Sequence, residues 1–261
     1  MTLVRKAVAL GAVADEPKAP PTSSTPTRGK TYTIYFAGEL FSSKHLLGNA
    51  ALAEAIYALS EGRYISVLPQ NLEQREASAH SIRDQDIQTL LSCDLGLFNY
   101  DGPELDSGTV VEYLFAKFAD IPSVLLRTDF RQSGDQDKSG DAWNLMNSFY
   151  PRTRVVQLDS MTLYQEAFKS AGGFGNEKDA AAVVLDQGRS LEAARLLVER
   201  IASQAIAAFD AVLSVPPLMP KMLTEAIYQW LALMPGFRMP ENLAAEKILG
   251  YCIRKQGKGL L

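Results

Sequence analysis

Residues 95–112 read Leu95-Gly96-Leu97-Phe98-Asn99-Tyr100-Asp101-Gly102-Pro103-Glu104-Leu105-Asp106-Ser107-Gly108-Thr109-Val110-Val111-Glu112. The apolar run from Leu95 to Asn99 predicts a buried strand, Asp-Gly-Pro turns the chain, and a helix follows from near Gly108 or Thr109 to Ala119. That start puts Glu112 in the first helical turn, where free backbone N–H groups and the positive end of the helix dipole favour an ionised carboxylate. Such a group at the carboxyl end of a strand suits a nucleophile. The same residues also fit plain capping: Thr109-x-x-Glu112 has capping-box spacing, and Asp106 can cap the turn.

The strand–turn–helix unit repeats to both sides. Thr31 to Ala37, Tyr64 to Leu68, Ile121 to Arg127 and Arg154 to Leu158 read as four further strands, rich in β-branched and aromatic residues. Leu46–Leu59, Ser81–Leu91 and Met161–Ala171 carry apolar residues at helical spacing. This alternation predicts an α/β fold, a doubly wound (Rossmann/flavodoxin-like) parallel five-stranded sheet, with ligands at the carboxyl ends of the strands, just after Phe36, Leu68, Asn99 and Arg127. Beyond Gly175 only helical pattern remains. Leu191, Ala194, Val198, Ile201, Ala205 and Phe209 make one apolar stripe, and after Pro216-Pro217-Leu218-Met219-Pro220 come two shorter helices, Lys221–Leu233 and Glu241–Ile253. The expected organisation is an extended tether over 1–30, rich in Pro, Ser and Thr, an α/β domain over 31–174, and an all-α C-terminal extension over 175–261.

Composition narrows the classes. The 261 residues include 26 Lys+Arg against 30 Asp+Glu, a formal charge of −4, which disfavours a nucleic-acid binder. No apolar run approaches the ~20 residues that cross a bilayer. Cys93 and Cys252 lie too far apart for a disulfide framework or zinc cluster on spacing, so a reducing, cytoplasmic setting is expected. Arg5-Lys6 before Ala7 to Ala14 superficially resembles a secretory leader, but the apolar stretch is short and poor in Leu.

A second acid joins Glu112. Asp86 lies four residues after Ile82 and four before Leu90, sharing a face with apolar residues, so its carboxyl keeps a proton longer and suits a general acid. An ion pair with Arg83 is the competing reading. Tyr35, on the first strand, either hydrogen-bonds a carboxylate or simply packs. Two carboxyls in different environments on one sheet edge are what substitution at an anomeric carbon needs, one to attack carbon and one to protonate the leaving group. His45 and His80 have no nucleophile motif beside them and read as surface residues. No metal-ligand spacing is present. Met219, Met222 and Met234 read as helix packing.

These residues resemble the nucleoside 2-deoxyribosyltransferase family. The likeness is carried, in order, by Ile34-Tyr35-Phe36-Ala37-Gly38-x-Leu40-Phe41, by Ile82-Arg83-x-x-Asp86-Ile87 with Cys93-Asp94, by Asp101-Gly102-x-x-x-Asp106-Ser107-Gly108-Thr109-x-x-Glu112, and by Asn144-Leu145-Met146. The resemblance implies that Glu112 attacks C1′ of a 2′-deoxynucleoside to form a covalent 2-deoxyribosyl-enzyme, which an incoming nucleobase opens with net retention, without metal or cofactor, in nucleoside salvage. It implies that Tyr35 orients the nucleophile, that Asp86 exchanges a proton with the base, and that Asp106, Gly38, Phe41 and Gly108 bind substrate. Asn144 is implied to come from a neighbouring subunit, which requires a homo-oligomer with shared sites. The base-contacting loop falls on residues 69–74, with Gln70, Asn71, Glu73 and Gln74 as candidates. Leu114 departs from the Gly that many members carry two residues after the nucleophile. Two other readings stand beside transfer: an N-glycosidase hydrolysing deoxynucleoside 5′-monophosphates, for which Ser42 and Ser43 are weak phosphate candidates, and a non-catalytic nucleotide-sensing module.

Overall fold

The computed structural model describes residues 29–72, 78–131, 134–137, 139–173 and 189–261. Residues 1–28 of the expected tether, and Glu73 and Gln74 of the expected base loop, lie outside the described residues.

In chain order the elements are β1 (Tyr32–Ala37), α1 (Ser43–Leu59), β2 (Tyr64–Val67), α2 (Ala79–Ser92), β3 (Leu95–Asn99), α3 (Ser107–Phe118), β4 (Ser123–Arg127), β5 (Thr153–Gln157) and α4 (Ser160–Ser170). Then follow α5 (Arg189–Leu213), α6 (Lys221–Leu233) and α7 (Glu241–Lys258). The five strands form one sheet, all parallel, in the order β2-β1-β3-β4-β5. This is the doubly wound α/β architecture, with helices on both faces and the strand order reversing between β1 and β3. β4 is buried along its whole length, as a central parallel strand covered on both sides must be.

The period of two along β1 divides the molecule. Ile34 and Phe36 point into a core shared with α1 and α5, where Leu52, Ile56, Ala202, Ala205 and Phe209 pack. Tyr35 and Ala37 point into the opposite core, built from α2, α3, α6 and α7 through Leu90, Tyr113, Ala116, Tyr228, Leu231 and Ile248. The C-terminal helices therefore supply part of both layers. Tyr228 Oη donates to the Ala119 carbonyl at 3.0 Å, and buried Asp120 accepts from the backbone N–H groups of Leu218 and Met219 at 2.7 and 2.9 Å.

Helix starts differ from expectation where a side-chain acceptor lies further upstream. α1 begins at Ser43 because the Ser42 hydroxyl accepts from His45 N–H. α3 begins at Ser107 because Asp106, not Thr109, is its cap, accepting from both Thr109 N (2.8 Å) and Thr109 Oγ1 (2.9 Å). Glu112 is thus the sixth residue of α3, in its second turn, and the first-turn dipole argument for its ionisation fails. In α5 the stripe's first member, Leu191, is 80% exposed while Ala193 takes the buried place. Met222 is exposed too, whereas Met219 packs against the core.

Candidate active site

Tyr35 is fully buried in the layer between the sheet and α2/α3, and its Oη donates to Glu112 Oε1 at 2.6 Å. A strand residue and a helix residue 77 positions apart in sequence are joined here, so the tyrosine does more than pack. Burial, with the negative neighbours Glu112 and Asp86, raises the Tyr35 phenol well above its ordinary range, which keeps it a donor.

Burial is also the first cause that lifts Glu112 to about 7; the Tyr35 bond works against it, while the charges of Asp86 and then Asp106 push it further up. Three carboxyls therefore share one electrostatic neighbourhood. Asp86 is raised to about 6 by burial, and its buried Oδ1 has no hydrogen-bond partner among the described residues. The alternative ion pair with Arg83 does not form. Arg83 turns instead to Asp84 Oδ1, at 3.2 and 2.5 Å, and to the Gly236 carbonyl at 3.2 Å, two acceptors on the far side of α2. A carboxyl with one oxygen unsatisfied and its proton held toward neutral pH is a group able to give and take a proton.

Two glycines permit this crowding. A Cβ at Gly38, in the turn leaving β1, would come 3.0 Å from Asn99 Cβ at the end of β3. One at Gly108 would come 3.1 Å from Asp106 Oδ2, the oxygen that caps α3. Gln70 lies in a short 3₁₀ turn after β2, where its amide accepts from Asn49 Nδ2 (3.3 Å) and donates to the Leu46 carbonyl (3.0 Å). Phe41 is 76% exposed. Asn144 is exposed as well, accepting from Met146 N and donating to Asp135, with Leu145, Met146 and Phe149 exposed around it. Within one chain, then, Tyr35 bonds Glu112 and the charges of Asp86 and Asp106 reach the same carboxyl, while Phe41 and Asn144 are exposed.

Sequence reasoning passed over the frame of the β3–α3 loop. Arg127, fully buried at the end of β4, donates to the carbonyls of Tyr100, Gly102 (3.2 Å) and Arg131 (2.8 Å). Asp101 accepts from Thr128 N, Thr128 Oγ1 and Asp129 N at 2.5–2.8 Å. The available signal was an arginine closing an otherwise apolar strand. On the α1 side of the strand ends, a cavity of about 220 Å³ is lined by Glu39, Lys44, His45, Asn49, Asn99, Asp101 and Thr128 among others. His45 Nε2 lies 3.0 Å from Glu39 Oε2. His80 bonds the Gly236 carbonyl at 3.1 Å. Among the described residues no cluster of three or more His, Cys, Asp or Glu could hold a metal ion, and no helix is long and apolar enough to cross a membrane.

Residues 34–146 match the family model for nucleoside 2-deoxyribosyltransferase. No curated protein sequence matches the chain. Among solved structures, a conserved protein from Enterococcus faecalis V583 is 30% identical over 51% of this chain and 94% of its own, with a TM-score of 0.42. A 2-desoxiribosyltransferase from Leishmania mexicana is 24% identical over 45% of this chain and 86% of its own, with a TM-score of 0.37.

Proposed function

We propose that this chain, whose residues 34–146 are a nucleoside 2-deoxyribosyltransferase-family domain, transfers 2-deoxyribose between nucleobases through a covalent bond to Glu112. The observation that carries the reading is the 2.6 Å Tyr35–Glu112 bond beside an Asp86 carboxyl with one oxygen unpartnered among the described residues.

The chemistry is derived from those groups. Tyr35 holds Oε1, leaving Oε2 of ionised Glu112 to attack C1′ on the face opposite the base. As the C1′–N bond breaks, Asp86 gives its proton to the departing base, and the sugar is left as an ester of Glu112. A second base then attacks C1′, Asp86 takes up the proton it sheds, and Glu112 leaves as carboxylate; two inversions give net retention. The missing 2′-hydroxyl of the substrate eases bond breaking, because no electron-withdrawing oxygen opposes positive charge at C1′. Water must be kept from the ester, or the outcome is hydrolysis.

The Ser42 hydroxyl accepts from His45 N–H as the cap of α1, a role other than the phosphate contact that the hydrolase reading asks of it. Exposed Leu145, Met146 and Phe149 around Asn144 support a second copy docking there and lending Asn144 to the sugar.

Incubation with deoxyinosine and adenine tests the proposal. Deoxyadenosine should accumulate, and intact mass after quenching should show one 2-deoxyribosyl adduct, mapping to Glu112. Free deoxyribose without deoxyadenosine would reassign the chain to the hydrolases, and no turnover with any nucleoside would return it to a binding module.

A further inference from the structure

α2 carries Asp86 toward Glu112, and its opposite side is fastened elsewhere. Asp84 and Asp86 are two residues apart, about 200° around a helix, so they cannot serve the same neighbour. Asp84, 6% exposed, accepts from Arg238 N at 2.8 Å through Oδ2. One turn on, buried Gln88 accepts from Lys247 Nζ at 2.6 Å. Another turn on, the Ser92 carbonyl accepts from Arg254, and the adjacent Cys93 carbonyl accepts from the Lys255 ammonium, itself 1% exposed. Positions 84, 88 and 92 form one i, i+4, i+8 stripe, and Arg238, Lys247 and Arg254, which meet it, lie in the loop and helix after α6. At the N-terminal end of α2, Gly236 O takes Arg83 and His80 as well.

All these partners lie beyond residue 146, outside the family match. The acid's helix is thus held by a segment that the family model does not include. Leu231, Ala244, Ile248 and Cys252 share one buried core cluster with Ile87, Leu90 and Leu91 of α2.

We propose that the α6–α7 hairpin is the positioning element for Asp86 and that Asp84 and Lys247 are the residues through which it acts. This deepens the transferase reading and rests on it, since it takes Asp86 as the proton donor to the departing base. Loss of the fastening lets α2 shift by a fraction of an ångström, which misaligns proton transfer but leaves Tyr35 and Glu112, on other elements, in register. The proposal therefore separates two requirements of the first displacement: proton donation to the departing base depends on the hairpin, carbon attack by Glu112 does not.

The test compares Asp84→Ala and Lys247→Met in the full chain, on deoxyinosine and on 4-nitrophenyl 2-deoxyriboside, whose nitrophenolate departs without a proton. Release of hypoxanthine should slow about 10- to 100-fold in kcat, with KM changing less than about threefold, while nitrophenolate release stays within about threefold of the parent. Equal slowing on both substrates, or slowing on neither, overturns the proposal. Lys247→Met keeps the apolar stem of the side chain and serves if Asp84→Ala does not fold. If the parent protein releases neither leaving group, the transferase reading fails on its own. Carboxyl ¹³C NMR of Asp86 then decides the positioning question: a titration midpoint lower in the variants, as water reaches the acid, supports it, and an unchanged midpoint overturns it.

Discussion

The two faces of the sheet use the same strands to opposite ends. On the α1/α5 face β1 presents Ile34 and Phe36 to the core, with Tyr32 partly buried at its start, and small alanines of α5, Ala202 and Ala205, let that helix lie close. On the α2/α3 face the same strand presents Tyr35, and the helices add Glu112 and Asp86, two carboxyls that burial makes reluctant to ionise. One face is built for stability. The other accepts a standing electrostatic cost, which is how a protein raises the proton affinity of acids it needs for chemistry.

The contrast breaks most sharply at Glu112. Glu112→Ala should lower kcat for deoxyribosyl transfer by about 10⁴-fold or more and abolish the mass adduct, while barely changing the fold. A variant retaining a tenth of the activity would remove the site from this face altogether. The converse experiment is Phe209→Ala, on the other side of the sheet. Phe209 is fully buried against Tyr64, ring centroids 5.0 Å apart, and its loss should destabilise by about 3–5 kcal/mol in urea melts. Activity per folded molecule should hold within about twofold; a large loss would show that the two layers are not independent.

Glu112→Gln sharpens the electrostatic half of the comparison. The glutamate's folded value of about 7 lies above its ordinary 4.5, so the folded state binds the proton more tightly. Below pH 4.5 both states are protonated and nothing is lost. Between 4.5 and 7 the unfolded chain ionises first, stability falls as pH rises, and above 7 the whole penalty remains. Glutamine carries no charge and still offers an acceptor to Tyr35. The variant should therefore match the parent near pH 4.5 and exceed it by about 1–3 kcal/mol at pH 8.5, measured by denaturant melts. Equal stability at both pH values would mean that the carboxylate is as well solvated as one in water.

The sheet was legible because alternation of apolar strands and amphipathic helices is a local signal, and β3 with α3 could be read within about a residue at either end. Asp86 was legible as an acid sharing a face with apolar residues, Tyr35 as a strand phenol that either bonds a carboxylate or packs, and Glu112 only through a first-turn placement that the Asp106 cap overturns. What the sequence hid was pairing at a distance. Nothing local to Asp84, Gln88 or Ser92 announces that Arg238, Lys247 and Arg254 will meet them some 154 to 162 positions later. The cap of α3 stayed open between two readings for a subtler reason: Thr109 and Asp106 are both good caps, and only the two bonds from Thr109 to Asp106 Oδ2 decide for Asp106. Arg127 was hidden because its acceptors are main-chain carbonyls, which carry no residue signature.

The smallest effect tests the bond that joins strand to helix. In Tyr35→Phe the aromatic packing remains and only the donor to Glu112 Oε1 is lost. That hydrogen bond lowers the glutamate's proton affinity, so its removal moves Glu112 above about 7 and reduces the ionised fraction that can attack carbon. Below pH 7 the loss should be largest, about tenfold in kcat/KM, because a raised pKa subtracts directly from the population of nucleophile. On the alkaline side, where Glu112 is ionised in both proteins, the two profiles should draw together, leaving only the cost of a freer carboxylate rotamer. A uniform loss across the whole pH range would assign Tyr35 a purely geometric part, and no loss at any pH would reduce it to the packing residue that its counterparts on the opposite face are.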